Sequence, residues 1–67
     1  VNKVKLKELK KGDFFTKKAI SDPSESQVWV RGDYDRSAKK YDCYKFEDVN
    51  VFCQIKGDKE VFCDFIF

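Results

Sequence analysis

The 67-residue chain has no histidine, one proline and three glycines. Without histidine the usual general base is missing, and with it the triads built on an imidazole. The three cysteines stand at 43, 53 and 63 with no CxxC pair, so the ligand spacing of a structural zinc site is absent. No glycine-rich phosphate loop occurs. Carboxylates are plentiful (Asp33, Asp35, Asp42, Glu47, Asp48), but they fall in turns or polar strand positions. None is set in an apolar run that would raise its pKa. A chain this short also leaves little room for a deep pocket with convergent polar groups. The expectation is a non-enzymatic protein with no cofactor, no metal and no small-molecule substrate.

Long apolar runs are missing too, and nothing approaches the roughly 20 residues that cross a bilayer. No apolar stretch follows the lysine-rich start, and no Asn-x-Ser/Thr site is present. Three cysteines without an export signal predict a reducing, cytoplasmic setting and no membrane partner. Arg31-Gly32-Asp33 spells an adhesion tripeptide, which needs an exposed loop on an extracellular protein; here it falls inside a strand pattern.

Charge of one sign is lacking over the whole chain, whose net is +2. Such a balance does not by itself imply nucleic acid. Its distribution is uneven, because residues 1–20 carry seven lysines against two acids while residues 21–67 carry seven bases against ten acids. What the chain has in quantity is aromatic surface. Eleven Phe, Tyr and Trp residues, each burying roughly 150–250 Å² when well packed, make a single folded domain over residues 1–67 feasible.

Those aromatics concentrate in Val28–Phe46, VWVRGDYDRSAKKYDCYKF. Alternation places Val28, Val30, Gly32 and Tyr34 on one face, and Trp29, Arg31, Asp33 and Asp35 on the other. The second arm, Lys40–Phe46, alternates as well. Setting Val30 opposite Tyr44 or Phe46 gathers Val28, Val30, Tyr44 and Phe46 on one apolar side. A one-residue slip sets Asp33 opposite Asp42 and turns every side chain over, so the first register is expected. Gly32 then lies under an aromatic ring, that of Tyr44, or marks a bulge. The turn Arg36-Ser37-Ala38-Lys39 fits a four- or five-residue loop around a type I turn.

Around this hairpin the pattern is less decisive. Residues 1–11 read as an edge strand, one helical turn or a mobile basic segment. Lys11-Gly12-Asp13 is a turn, and Phe14–Ile20 a strand with an aromatic on each face. Ser21–Gln27 is the clearest loop and the best candidate for a mobile segment. Glu47–Asn50 reads as a turn or a short 3₁₀ segment. Val51–Lys56 and Glu60–Phe67 predict a second hairpin, with Ile55 facing Val61, Cys53 facing Cys63 and Val51 facing Phe65. Cys53 and Cys63 would then be cross-strand neighbours, acting as small apolar residues or, on oxidation, joined by a disulfide. Cys43, on the Trp29 face, is the reactive thiol if exposed. The apolar Phe65 and Phe67 predict a C-terminus tied into the sheet. The fold class is all-β: a meander of about five antiparallel strands, curled into a small SH3-like or OB-like barrel that hides its edges.

The expected functional surface is the face carrying Trp29, Arg31, Tyr41 and Lys45, with Arg36, Lys39 and Lys40 at the hairpin tip. Aromatics next to bases suit a protein partner or self-association, the leading expectation. They also suit unpaired nucleotide bases, with cations along the phosphates, and the lysine-rich N-terminal region would then contribute. Asp33 and Asp35 on the same face oppose phosphate.

Taken together, GDFF at 12–15, the 28–46 series, KGDKEVF at 56–62 and the terminal FxF resemble a group of small uncharacterised proteins. That group is encoded in gut anaerobe genomes and in their phages and mobile elements. The resemblance covers nearly the whole chain and implies a cytoplasmic bacterial setting with a link to mobile DNA. No activity, cofactor or site residue of the group carries over.

Overall fold

In the computed structural model, which describes residues 1–67, the central hairpin pairs β3 (Trp29–Asp35) with β4 (Lys40–Lys45). Its base has the expected register, Trp29 opposite Lys45, Val30 opposite Tyr44 and Arg31 opposite Cys43. Beyond Arg31 the register shifts by one, so Tyr34 meets Tyr41 and Asp35 meets Lys40. Gly32 and Asp33 together oppose Asp42, which is the geometry of a β-bulge. The shift corrects the parity expected for Tyr34 and for Asp35, which leaves the Trp29 face for that of Lys40 and Asp42. The bulge carries that ring to the face of Tyr41, and it gains the opposite-charge pair Asp35/Lys40 at the tip. Gly32 is required by close approach, since a Cβ there would lie 2.7 Å from the Asp42 carbonyl oxygen, with Tyr44 Cε1 at 3.6 Å. The four-residue tip is closed by Asp35 Oδ1, which accepts from the Ser37 and Ala38 N–H groups at 2.9 and 3.3 Å.

Two antiparallel sheets make up the fold, and no α-helix is present. One sheet has the order β2-β3-β4-β5, with β2 at Phe14–Phe15 and β5 at Phe52–Ile55. The other pairs β1 (Asn2–Lys5) with β6 (Glu60–Cys63). Thr16 joins them: its N–H donates to Phe62 O at 2.9 Å and its C=O accepts from Phe62 N–H at 3.0 Å. The basic N-terminal segment resolves as both readings at once, a strand and then one 3₁₀ turn at Leu6–Glu8. The expected strand over Phe14–Ile20 shortens to Phe14–Phe15 plus the Thr16 bridge. Gly12 has φ +92° in the turn before β2, and its N–H donates to Arg31 O at 2.8 Å. Gly12→Ala is expected to lower stability by roughly 1–2 kcal/mol; an unchanged urea midpoint would contradict this backbone requirement.

The second hairpin does not form. β5 pairs with β4 and β6 pairs with β1, so the expected partners Ile55/Val61, Cys53/Cys63 and Val51/Phe65 are not ladder neighbours. The tight turn at Lys56–Lys59, closed by Lys59 N–H to Lys56 O at 3.0 Å, hands the chain from one sheet to the other. Alternation states which face of a strand is buried; it does not name the neighbour. β6 satisfies its pattern against β1, with Val61 opposite Val4 and a Lys3–Glu60 ion pair at 3.5 Å. Cys53 lies opposite Cys43 instead, and all three thiols are free.

Between the sheets, Leu6, Phe15, Cys43 and Val61 are fully enclosed, and Val4, Leu9, Trp29, Tyr41 and Ile55 pack against them. The C-terminal residues leave the ladder at Asp64, where φ is +58°. They are held by Ile66 N–H to Ser21 O at 2.9 Å and by the ring of Phe67, so the terminus is tied down by side-chain packing and one bond rather than as a strand. The Ser21–Gln27 loop contains a 3₁₀ turn at Glu25–Gln27, with Ser24 N–H bonded to Gln27 Oε1 at 2.9 Å.

Candidate interaction surfaces

The face of β3 and β4 that carries Trp29, Arg31, Tyr41 and Lys45 looks inward. Cys43 at its centre is completely buried. The residues flanking Cys43 are half-buried and divide into two groups at opposite ends of the face. At one end the Trp29 ring carries Lys17 Nζ at 4.1 Å and Lys45 Nζ at 5.8 Å from its centre, so the indole is engaged by the chain's own cations. At the other end the Arg31 guanidinium lies 4.1 Å over the Tyr41 ring. Tyr41 is followed in the stack by Tyr34, with ring centres 4.9 Å apart. Arg31 Nε is enclosed and has no hydrogen-bond partner.

The Arg31–Tyr41–Tyr34 stack borders an open cleft of about 510 Å³ that Lys7, Lys39, Lys56 and Asp58 also line. Asp58 is drawn to Lys7 at 3.2 Å. Of the tip residues singled out from the sequence, Lys39 reaches this cleft, Arg36 is exposed at the turn, and Lys40 lies along a neighbouring groove with Gln54 and Lys59. Asp35 is held below its ordinary carboxylate value, chiefly by the Gln54 amide and then by the Ala38 and Ser37 N–H groups. That preference for the anion fixes the tip and ties it to Gln54 of β5 at 2.9 Å.

Cys43 does not meet the exposure condition for a reactive thiol. Burial is the main cause that pushes it up to about 11. The folded state then holds its proton where the unfolded chain releases it. Stability attributable to Cys43 is therefore full below about pH 9 and falls as pH rises toward 11. Thiol reagents at pH 8 are expected to label Cys53 and spare Cys43. Labelling of Cys43 at the rate of a free thiol would contradict the enclosed site.

Sequence reasoning missed the outer face of the four-stranded sheet. Phe14, Val30, Tyr44 and Phe52 follow one another across β2, β3, β4 and β5. Val28 and Val30 are buried beneath this surface, as their alternation required. Phe46 and Phe67 add to it. Phe14, Phe46 and Phe67 meet edge to face in a triangle with centre separations of 5.3, 5.6 and 4.9 Å. This cluster is open to solvent, Phe67 being 49% and Phe52, at the sheet edge, 68% exposed. The signals were GDFF, with an aromatic for each face, and the terminal FxF. Their meeting depended on the C-terminal residues folding back over β2, which no local pattern encodes.

No family model, curated protein or solved structure matches the chain.

Proposed function

We propose that the chain is a non-catalytic binding module that works by protein contact, through the phenylalanine surface on the outside of its four-stranded sheet. The observation that carries this reading is the Phe14/Phe46/Phe67 triangle with Phe52 beside it, apolar area left uncovered where a lone soluble domain buries its rings. Contiguous exposed apolar patches mark interaction sites, and aromatic residues, Phe among them, are enriched at the core of such contacts. The Trp29/Arg31/Tyr41/Lys45 face named from sequence becomes, in this reading, the inner wall of the domain. We read the scaffold as an SH3-like barrel with one added strand, left open between β5 and β1. The strand order β1-β6, continued through Thr16 into β2-β3-β4-β5, supports this. A cytoplasmic setting is part of the same proposal and rests on the sequence.

Sedimentation of the full chain and of Phe46→Lys tests the reading. Wild type is expected to exceed the 7.9 kDa monomer increasingly with concentration, with little response to salt, and Phe46→Lys to stay monomeric. A wild type that stays monomeric and instead binds single-stranded oligonucleotide would overturn it in favour of the second reading. That reading rests on the Tyr34 cleft, where a stack ending in an exposed tyrosine stands among lysines. Binding there would weaken steeply between about 50 and 200 mM salt and be lost in Tyr34→Ala.

A further inference from the structure

Strand β5 is the free edge of the four-stranded sheet, and its sequence, Phe52-Cys53-Gln54-Ile55, carries no charge. Natural edges are blunted by lysine, proline or a bulge. The opposite free edge, β1, follows that rule with Lys3 and Lys5; β5 does not. Lys45 N–H donates to Val51 O at 2.9 Å, which fixes the hydrogen-bonding parity of the β4/β5 ladder. Residues 51, 53 and 55 point their backbone groups at β4. Phe52 and Gln54 therefore present N–H and C=O outward, unpaired.

We propose that β5 pairs antiparallel with β5 of a second copy about a two-fold axis through Cys53, joining the two sheets into one of eight strands. The proposal rests on the protein-contact reading above and names the partner. In this register Phe52 and Gln54 exchange backbone hydrogen bonds with Gln54 and Phe52 of the second copy, so every outward group of the strand interior is satisfied. Charge agrees with the two-fold arrangement. The strand is entered from Glu47-Asp48 and left into Lys56 and Lys59, so antiparallel pairing brings the acidic end of one copy to the basic end of the other. Asp58, the acid within that basic end, is engaged by Lys7. The join also extends the outer phenylalanine surface, covering Phe52, its most exposed ring.

On the axis, Cys53 faces Cys53 of the second copy as a non-hydrogen-bonded pair. The Cα separation of such a pair, about 4.5 Å, lies inside the disulfide range of ~4.4–6.8 Å. This gives a register-specific test. The Cys63→Ser protein is treated with copper(II)–phenanthroline, two copper(II) ions each taking one electron as two thiols lose their protons and one S–S bond forms. The expected product is a covalent dimer linked through Cys53, identified by peptide mass, while a bond within one chain keeps the monomer mass. Phe52→Lys, with a circular dichroism melt to verify its fold, is expected to raise the dimer dissociation constant by roughly tenfold or more. A wild type monomeric at all concentrations overturns the pairing. A dimer that forms no Cys53 link and survives Phe52→Lys, but is lost in Phe46→Lys, overturns the β5 pairing alone and leaves the protein-contact reading standing.

Discussion

Phe15→Ala is expected to cost about 3–5 kcal/mol, the range for truncating a fully enclosed phenylalanine. Phe15 has no exposed surface and stands among Leu6, Cys43 and Val61 at the place where the two sheets meet. Its strand is only two residues long, so little backbone pairing remains to hold β2 once the ring is gone. Thr16, the next residue, makes the two hydrogen bonds that join β2 to β6. Small domains have about 5 kcal/mol or somewhat more in total. The variant should therefore be largely unfolded near 37 °C, by circular dichroism or by loss of dispersed NMR signals. Phe14→Ala, one residue earlier and 40% exposed, is the natural comparison and should cost much less. Equal losses at the two positions would contradict the assignment of inner and outer faces.

Gly32→Ala is the second large effect, at about 1–3 kcal/mol. The contact that forbids a Cβ here is a backbone carbonyl on the neighbouring strand, which no side-chain rotation relieves. The β3/β4 ladder must open or the bulge must move. Moving the bulge would return Tyr34 to the outer face and dismantle the Tyr34–Tyr41 stack. The variant should show a lower urea midpoint together with changed Tyr34 and Tyr41 ring signals. A stable variant with both sets of signals unchanged would show that the bulge does not depend on glycine.

Much of the fold was legible wherever two adjacent strands shared one local pattern. Val28, Val30 and Tyr44 set the base of the central hairpin, whereas the tip takes the register one residue over that was expected to be disfavoured, with Asp35 opposite Lys40. The bulge at Gly32–Asp33 lets base and tip keep separate registers. Local pattern failed for β5 and β6. Val51, Cys53 and Ile55 align with Phe65, Cys63 and Val61 as well on paper as with any antiparallel partner. The choice of β1 and β4 instead is made by closure of the core around Leu6 and Phe15. The candidate surface shared that limit. Trp29 and Tyr41 could be identified as same-face aromatics, but only the second sheet laid across Cys43 turns that face inward. Its cover comes from residues 6 and 61, far away in sequence.

The outer face is the centre of the account, and amide NMR shifts recorded across a wide range of protein concentration test it most directly. Concentration-dependent shifts are expected at Phe14, Phe46, Phe52, Gln54 and Phe67, with little change between low and high salt, while Tyr34 and Lys39 stay fixed. Outer-face signals that stay fixed at every concentration, with Tyr34 and Lys39 moving on addition of single-stranded oligonucleotide, would contradict it.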